Sequence, residues 1–175
     1  MDFMERHYRQ NFILLCLDSI FFSFSMSIFS TVTVLPQFVG NITGNLFFIG
    51  LIPAIWMIGN NLTQIIASVY TVNSRNKKKR MMTACFVQRI GLVMVMLSAP
   101  ILRFLPSEVC LAIFFVSFTF YSVGSGFTQP VWVSIISTSI TKNRGNFFGI
   151  TNMAGSFLGL AGGFATKLIL DSTGF

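Results

Sequence analysis

Two long apolar segments, Leu46 to Val72 and Met81 to Leu105, flank the run Arg75-Asn76-Lys77-Lys78-Lys79-Arg80. Five cations in six residues cannot enter hydrocarbon, whereas apolar segments of about 20 residues or more belong in a bilayer. The run is therefore predicted to be a short cytoplasmic loop between two membrane spans, and it orients the whole chain.

Composition agrees. The chain of 175 residues is 53% hydrophobic and 10% charged, where a soluble domain carries about 25% charged residues. Its 21 phenylalanines exceed what one aqueous core of this size hides. An all-α, polytopic helical membrane protein is expected. The net charge of +7 does not point to nucleic acid, because the cations sit at the ends of apolar segments and form no basic face. Cys16, Cys85 and Cys110 are far apart, and His7 is the only histidine. No metal site, cofactor or nucleophilic triad is expected, and an enzyme is not.

Hydropathy predicts five helices at about 12–36, 45–72, 81–105, 109–140 and 146–170, preceded by a leader at 1–11 and followed by an end segment at 171–175. The connections between them (Gln37 to Gly44, Asn73 to Arg80, Pro106 to Glu108, Thr141 to Gly145) leave no room for a soluble domain. With the N-terminus inside, Arg6, Arg9, Arg75, Lys77, Lys78, Lys79, Arg80, Lys142 and Arg144 face the cytoplasm, and only Arg103 and Lys167 lie toward the outside. That imbalance predicts a cytoplasmic N-terminus in a cell membrane, with the end at 171–175 outside. The first span is too long, and Asp18 interrupts it, for a cleaved signal peptide.

Polar groups kept inside the spans are the functional candidates. Asp18 and Arg89 each lie about two turns, or roughly 9 Å, from the cytoplasmic side, which makes an ion pair geometrically possible. Such a pair either serves a proton or substrate inside a cavity or is structural, and Arg89 also has the option of snorkelling to the interface. Ser19, Ser23, Ser27 and Ser30 form a stripe suited to close helix approach or to lining a pathway. Asn60, Asn61 and Gln64 cluster in the second span, and Gln88, Gln129 and Asn152 add one amide to each later span. Amides in hydrocarbon need partners or water, so these are candidates for hydrogen-bonding a polar substrate. The fourth span carries Gly124-Ser125-Gly126, then Pro130, where a kink is expected, and Trp132 as a ring that lines a cavity or packs. In the fifth span Gly155, Gly159 and Gly163 predict a close-packing face, with Gly162 adjacent.

Taken in order, these features resemble the N-terminal half of a major facilitator superfamily transporter, as the first five of its six spans. The resemblance rests on the N-in topology, the basic loop between spans two and three, and the glycine-rich fourth and fifth spans. It also rests on Arg144-Gly145-Asn146-Phe147-Phe148-Gly149, which is similar to the family's Arg-Gly-x-x-x-Gly loop. The basic run, with Arg144 and Gly145, then corresponds to loops that set topology and gating. Three departures stand out. Asn73 occupies the aspartate position of the loop between spans two and three. Phe120 stands where proton-driven drug exporters carry an arginine, and Leu160 replaces the proline of their fifth-span signature. A drug:proton antiporter is therefore not expected.

The resemblance implies a secondary transporter of a small solute, with or without a coupling ion, working by alternating access in the lipid bilayer together with a missing C-terminal half. It places spans one, two, four and five along the cavity, which favours Asp18, Asn61, Gln64, Gln129, Trp132 and Asn152 over Arg89 as lining residues. The chain is expected to be an incomplete half, inactive alone. The alternative reading is a small membrane protein that does not transport but assembles with or regulates partner membrane proteins.

Overall fold

The computed structural model describes residues 7–72, 76–101 and 104–173, with side chains for all of these except 71, 72, 77, 99–101 and 169–173. Among the described residues there are six helices and no strand: α1 (Tyr8–Ile28), α2 (Val34–Thr43), α3 (Leu46–Val72), α4 (Lys77–Ile101), α5 (Ser107–Ser139) and α6 (Arg144–Thr173). Five are long and apolar enough to cross a membrane, all but α2. At 10 residues, or about 15 Å, α2 is too short to do so.

The first expected span, 12–36, is two elements. The α1 helix closes at Ile28, where the Phe29 amide donates to the Ser25 carbonyl at 3.0 Å. Ser25 and Ser27 turn their hydroxyls onto the Phe21 and Phe24 carbonyls, and the β-branched run Thr31-Val32-Thr33 that follows is a poor helix continuation. Residues 37–43, expected as a connection, belong to α2. Pro36 is tolerated there because it falls in the first turn, where no amide hydrogen is needed. Gly44 ends α2 in the left-handed region at φ 61°, its amide bonded to the Gly40 carbonyl. Asn45 then caps α3 through its Oδ1, which accepts from the Phe47 amide at 2.9 Å.

The third span starts earlier than expected. Lys77 to Arg80 form the first turn of α4 and are not loop, since Lys and Arg are good helix formers and no Gly or Pro interrupts them. Arg75, Arg103 and Arg6 lie outside the described residues. The α5 helix runs 33 residues and is continuous through Pro130.

The chain divides into two units, Met1–Ser30 with Ile136–Phe175, and Thr31–Ile135. In the first, α1 packs along α6. The Ser19, Ser23 and Ser27 hydroxyls donate to Leu15, Ser19 and Phe24 carbonyls of α1 itself, leaving their β-carbons toward the glycines of α6. A β-carbon added at Gly155 would fall 2.9 Å from Ser23 Cβ, and one at Gly159 would fall 3.7 Å from Ser27 Cβ. One at Gly162 would meet Ser27 Oγ and the Phe24 ring, whereas Gly163 has nothing within 4 Å. The close-packing face is thus Gly155, Gly159 and Gly162, not Gly163. Steps of four and three follow the helical period better than two steps of four.

In the second unit α5 is the central helix. Gly59 of α3 abuts Ser122, and Gly91 of α4 abuts the Tyr121 backbone. Gly124 and Gly126 of α5 admit Gln88 of α4 and Asn60 of α3. Val39, Ile52, Cys110, Phe114 and Phe118 are fully buried, and α2 reaches this core through Phe38, whose ring centroid lies 5.5 Å from that of Phe114.

Candidate functional site

The amides of the second span separate once the helix is wound. Asn60 is half-buried and its Nδ2 donates to Ser125 Oγ at 3.3 Å. Asn61, about 100° further round the helix, is exposed, and Gln64 is half-buried. Gln88 is 7% exposed, and its Oε1 accepts from Thr128 Oγ1 at 3.2 Å. The Thr128 hydroxyl also lies 3.0 Å from the Gly124 carbonyl. Asn60 and Gln88 are therefore tied into helix packing, one on each side of α5. Gln129 and Trp132, further along α5, are half-buried.

Asp18 is exposed on α1 and Asn152 is exposed on α6, both in the first unit. Arg89 is exposed on α4, in the second unit. Among the described residues no group of three or more His, Cys, Asp or Glu side chains gathers to hold a metal.

The polar loops are anchored by backbone carbonyls. Arg80 donates through its guanidinium to the Tyr70 carbonyl near the end of α3. Lys78 and Lys79 are exposed, and the Lys77 side chain lies outside the described residues. Arg144 folds back over the end of α5, with Nε donating to the Ile140 carbonyl at 2.8 Å and Nη2 to the Ser137 carbonyl at 2.6 Å. It thereby places a cation at the negative end of that helix. Asn143, at φ 56°, makes the tight turn before α6, and exposed Gly145 sits in the first turn of α6 with nothing within 4 Å of an added β-carbon. Tyr8 Oη donates to the Lys142 carbonyl at 2.5 Å, and the Phe12 ring meets the buried Phe147 edge-on at 5.6 Å. The start of α1 is thus fastened to the turn before α6.

Sequence reasoning missed Gly59 and Gly91, because a lone glycine in an apolar run carries no spacing signal. It also missed Trp56, whose ring stacks on Phe118 and Tyr121 at 6.5 and 5.7 Å. Aromatic content at helical spacing on α5 was the available clue.

Five apolar helices that pack at glycine contacts within each unit, with amides and single charges left exposed on their spans, define a polytopic helical membrane protein. Residues 5–163 match the sequence profile of the Major Facilitator Superfamily. The chain belongs to that family of membrane transporters. No curated protein and no solved structure matches it.

Proposed function

We propose that the chain contributes to a secondary transporter that carries a small polar solute across the cell membrane by alternating access, with its N-terminus in the cytoplasm. The observation that carries this reading is the exposure of Asn61 on a membrane span. An amide exposed at that depth needs water, a solute or another helix, since leaving it unsatisfied in hydrocarbon costs about 1–3 kcal/mol on mutational scales. Asn61, Gln64, Gln129 and Trp132, all in the second unit, are the residues proposed to face the pathway. Amides recognise neutral hydroxyl, carbonyl or amino groups.

Alternating access in this family works between two six-helix halves. The five spans are therefore proposed to act together with complementary helices and to be inactive without them. The test is uptake of labelled sugars, amino acids and nucleosides into vesicles containing the full transporter, wild type against Asn61→Leu and Gln129→Leu. Saturable uptake of one solute class that these variants impair supports the proposal. Uptake unchanged by every pathway variant overturns the assignment of the site, and uptake by the five spans alone overturns the need for a second half.

A further inference from the structure

The cations at the start of α4 have no intramolecular counter-charge within their own unit. That unit, Thr31–Ile135, holds a single carboxylate, Glu108. Glu108 lies in the first turn of α5, beyond the far end of α4. The 25 residues of α4 put about 37 Å between the two, several times the screening length of about 8 Å at physiological salt. The helix offers no relief either, because its start is the positive end of the macrodipole and its first turn contains no acid. Arg80 is engaged with the Tyr70 carbonyl, which fixes the end of α3 beside the start of α4. Lys78 and Lys79 remain exposed there, where the candidate spans Leu46–Tyr70 and Lys78–Ser98 meet end to start.

We infer that Lys78 and Lys79 form a binding site for the phosphate of an anionic phospholipid headgroup. The lipid is the partner of opposite charge held at the same depth as the lysines, and a juxtamembrane basic cluster is drawn to such headgroups. The lysines contribute point charges with rotatable donors, suited to a phosphate that diffuses in the membrane plane. The bound headgroup would seat the short connection between α3 and α4 on the membrane surface.

The inference rests on the proposed orientation only for the choice of leaflet. Nanodiscs expose both faces, so an error in orientation leaves the following test intact. The purified chain is placed in nanodiscs of phosphatidylcholine alone or mixed with phosphatidylglycerol. Retained lipid is read by native mass spectrometry, and tryptic cleavage at residues 77–80 is read against cleavage after Lys142 and Arg144. Wild type is expected to retain phosphatidylglycerol over phosphatidylcholine and to be protected selectively at the basic run. Lys78→Gln and Lys79→Gln are each expected to lower that preference about fivefold, with Lys142→Gln as the control that keeps it. Equal retention of the two lipids, protection equal at both cleavage regions, or a preference unchanged in the double variant would overturn the site. Protection by inorganic phosphate in phosphatidylcholine discs, matching that by phosphatidylglycerol, would overturn the lipid as its source.

Discussion

Gly91 lies against the backbone of Tyr121, so that a β-carbon at position 91 would fall 2.8 Å from both Cα and N of the tyrosine. Backbone cannot rotate aside as a side chain can, so α4 and α5 approach at a distance that only glycine permits. Gly91→Ala is expected to push these helices apart and destabilise the protein by about 1–3 kcal/mol, outweighing the gain of roughly 1 kcal/mol in helix propensity. Gly163→Ala, where nothing lies within 4 Å, is expected to be neutral or slightly stabilising. Thermal unfolding in detergent, followed by circular dichroism, separates the two. Equal melting temperatures would remove the case for the Gly91 contact.

The α1–α6 contact predicts a covalent bond. Ser27 Cβ stands 3.7 Å from the β-carbon position of Gly159, close to the mean of about 3.8 Å in disulfides. The double variant Ser27→Cys, Gly159→Cys is expected to oxidise to an intramolecular disulfide, seen as a mobility shift that reductant reverses. Ser27→Cys with Gly163→Cys is expected to form far less. The reverse ranking would mean that α6 is rotated from the orientation described.

Arg144 is expected to act as a helix cap. Arg144→Gln removes the charge-assisted bonds to the Ile140 and Ser137 carbonyls. It should raise hydrogen exchange at the end of α5 roughly two- to fivefold, matching the 0.3–1 kcal/mol that a cation contributes at an exposed helix C-terminus. Arg144→Lys should recover part of the protection, since the charge remains while the two-pronged geometry is lost. Exchange that is unaltered in Arg144→Gln would show that the cap contributes nothing.

Neighbouring asparagines are expected to separate stability from transport. Asn60→Ala, which loses the bond to Ser125, should lower stability by about 0.6 kcal/mol, the average for such bonds between membrane helices. Asn61→Ala should leave the melting temperature in place and, on the proposed function, change solute uptake. A double-mutant cycle of Asn60→Ala with Ser125→Ala checks the first half, and a coupling energy of zero would contradict it.

The spans were legible because hydropathy over 20 or more residues is a sum that one residue cannot overturn, and the basic run at Lys77 to Arg80 marked where two of them meet. The break after Ile28 was not, since Ser27 to Thr33 stays apolar enough for a span while its hydroxyls and β-branched residues end the helix locally. The roles of Asn60 and Asn61 were indistinguishable for a geometric reason. Adjacent residues point about 100° apart, and nothing in the sequence gives the rotation of α3 about its axis. The same indeterminacy exchanged Gly162 for Gly163. Gly91 matters only through Tyr121, which comes thirty positions later in another helix.

The three serines of α1 have a mechanical consequence. Because Ser19, Ser23 and Ser27 donate within their own helix, a shift of α1 along α6 leaves these three bonds intact. Asn60 and Gln88, by contrast, latch α3 and α4 to α5 with bonds that must break before those helices move apart. With Tyr8 held to Lys142 at one end, α1 has the character of a lubricated lever pinned at its fulcrum.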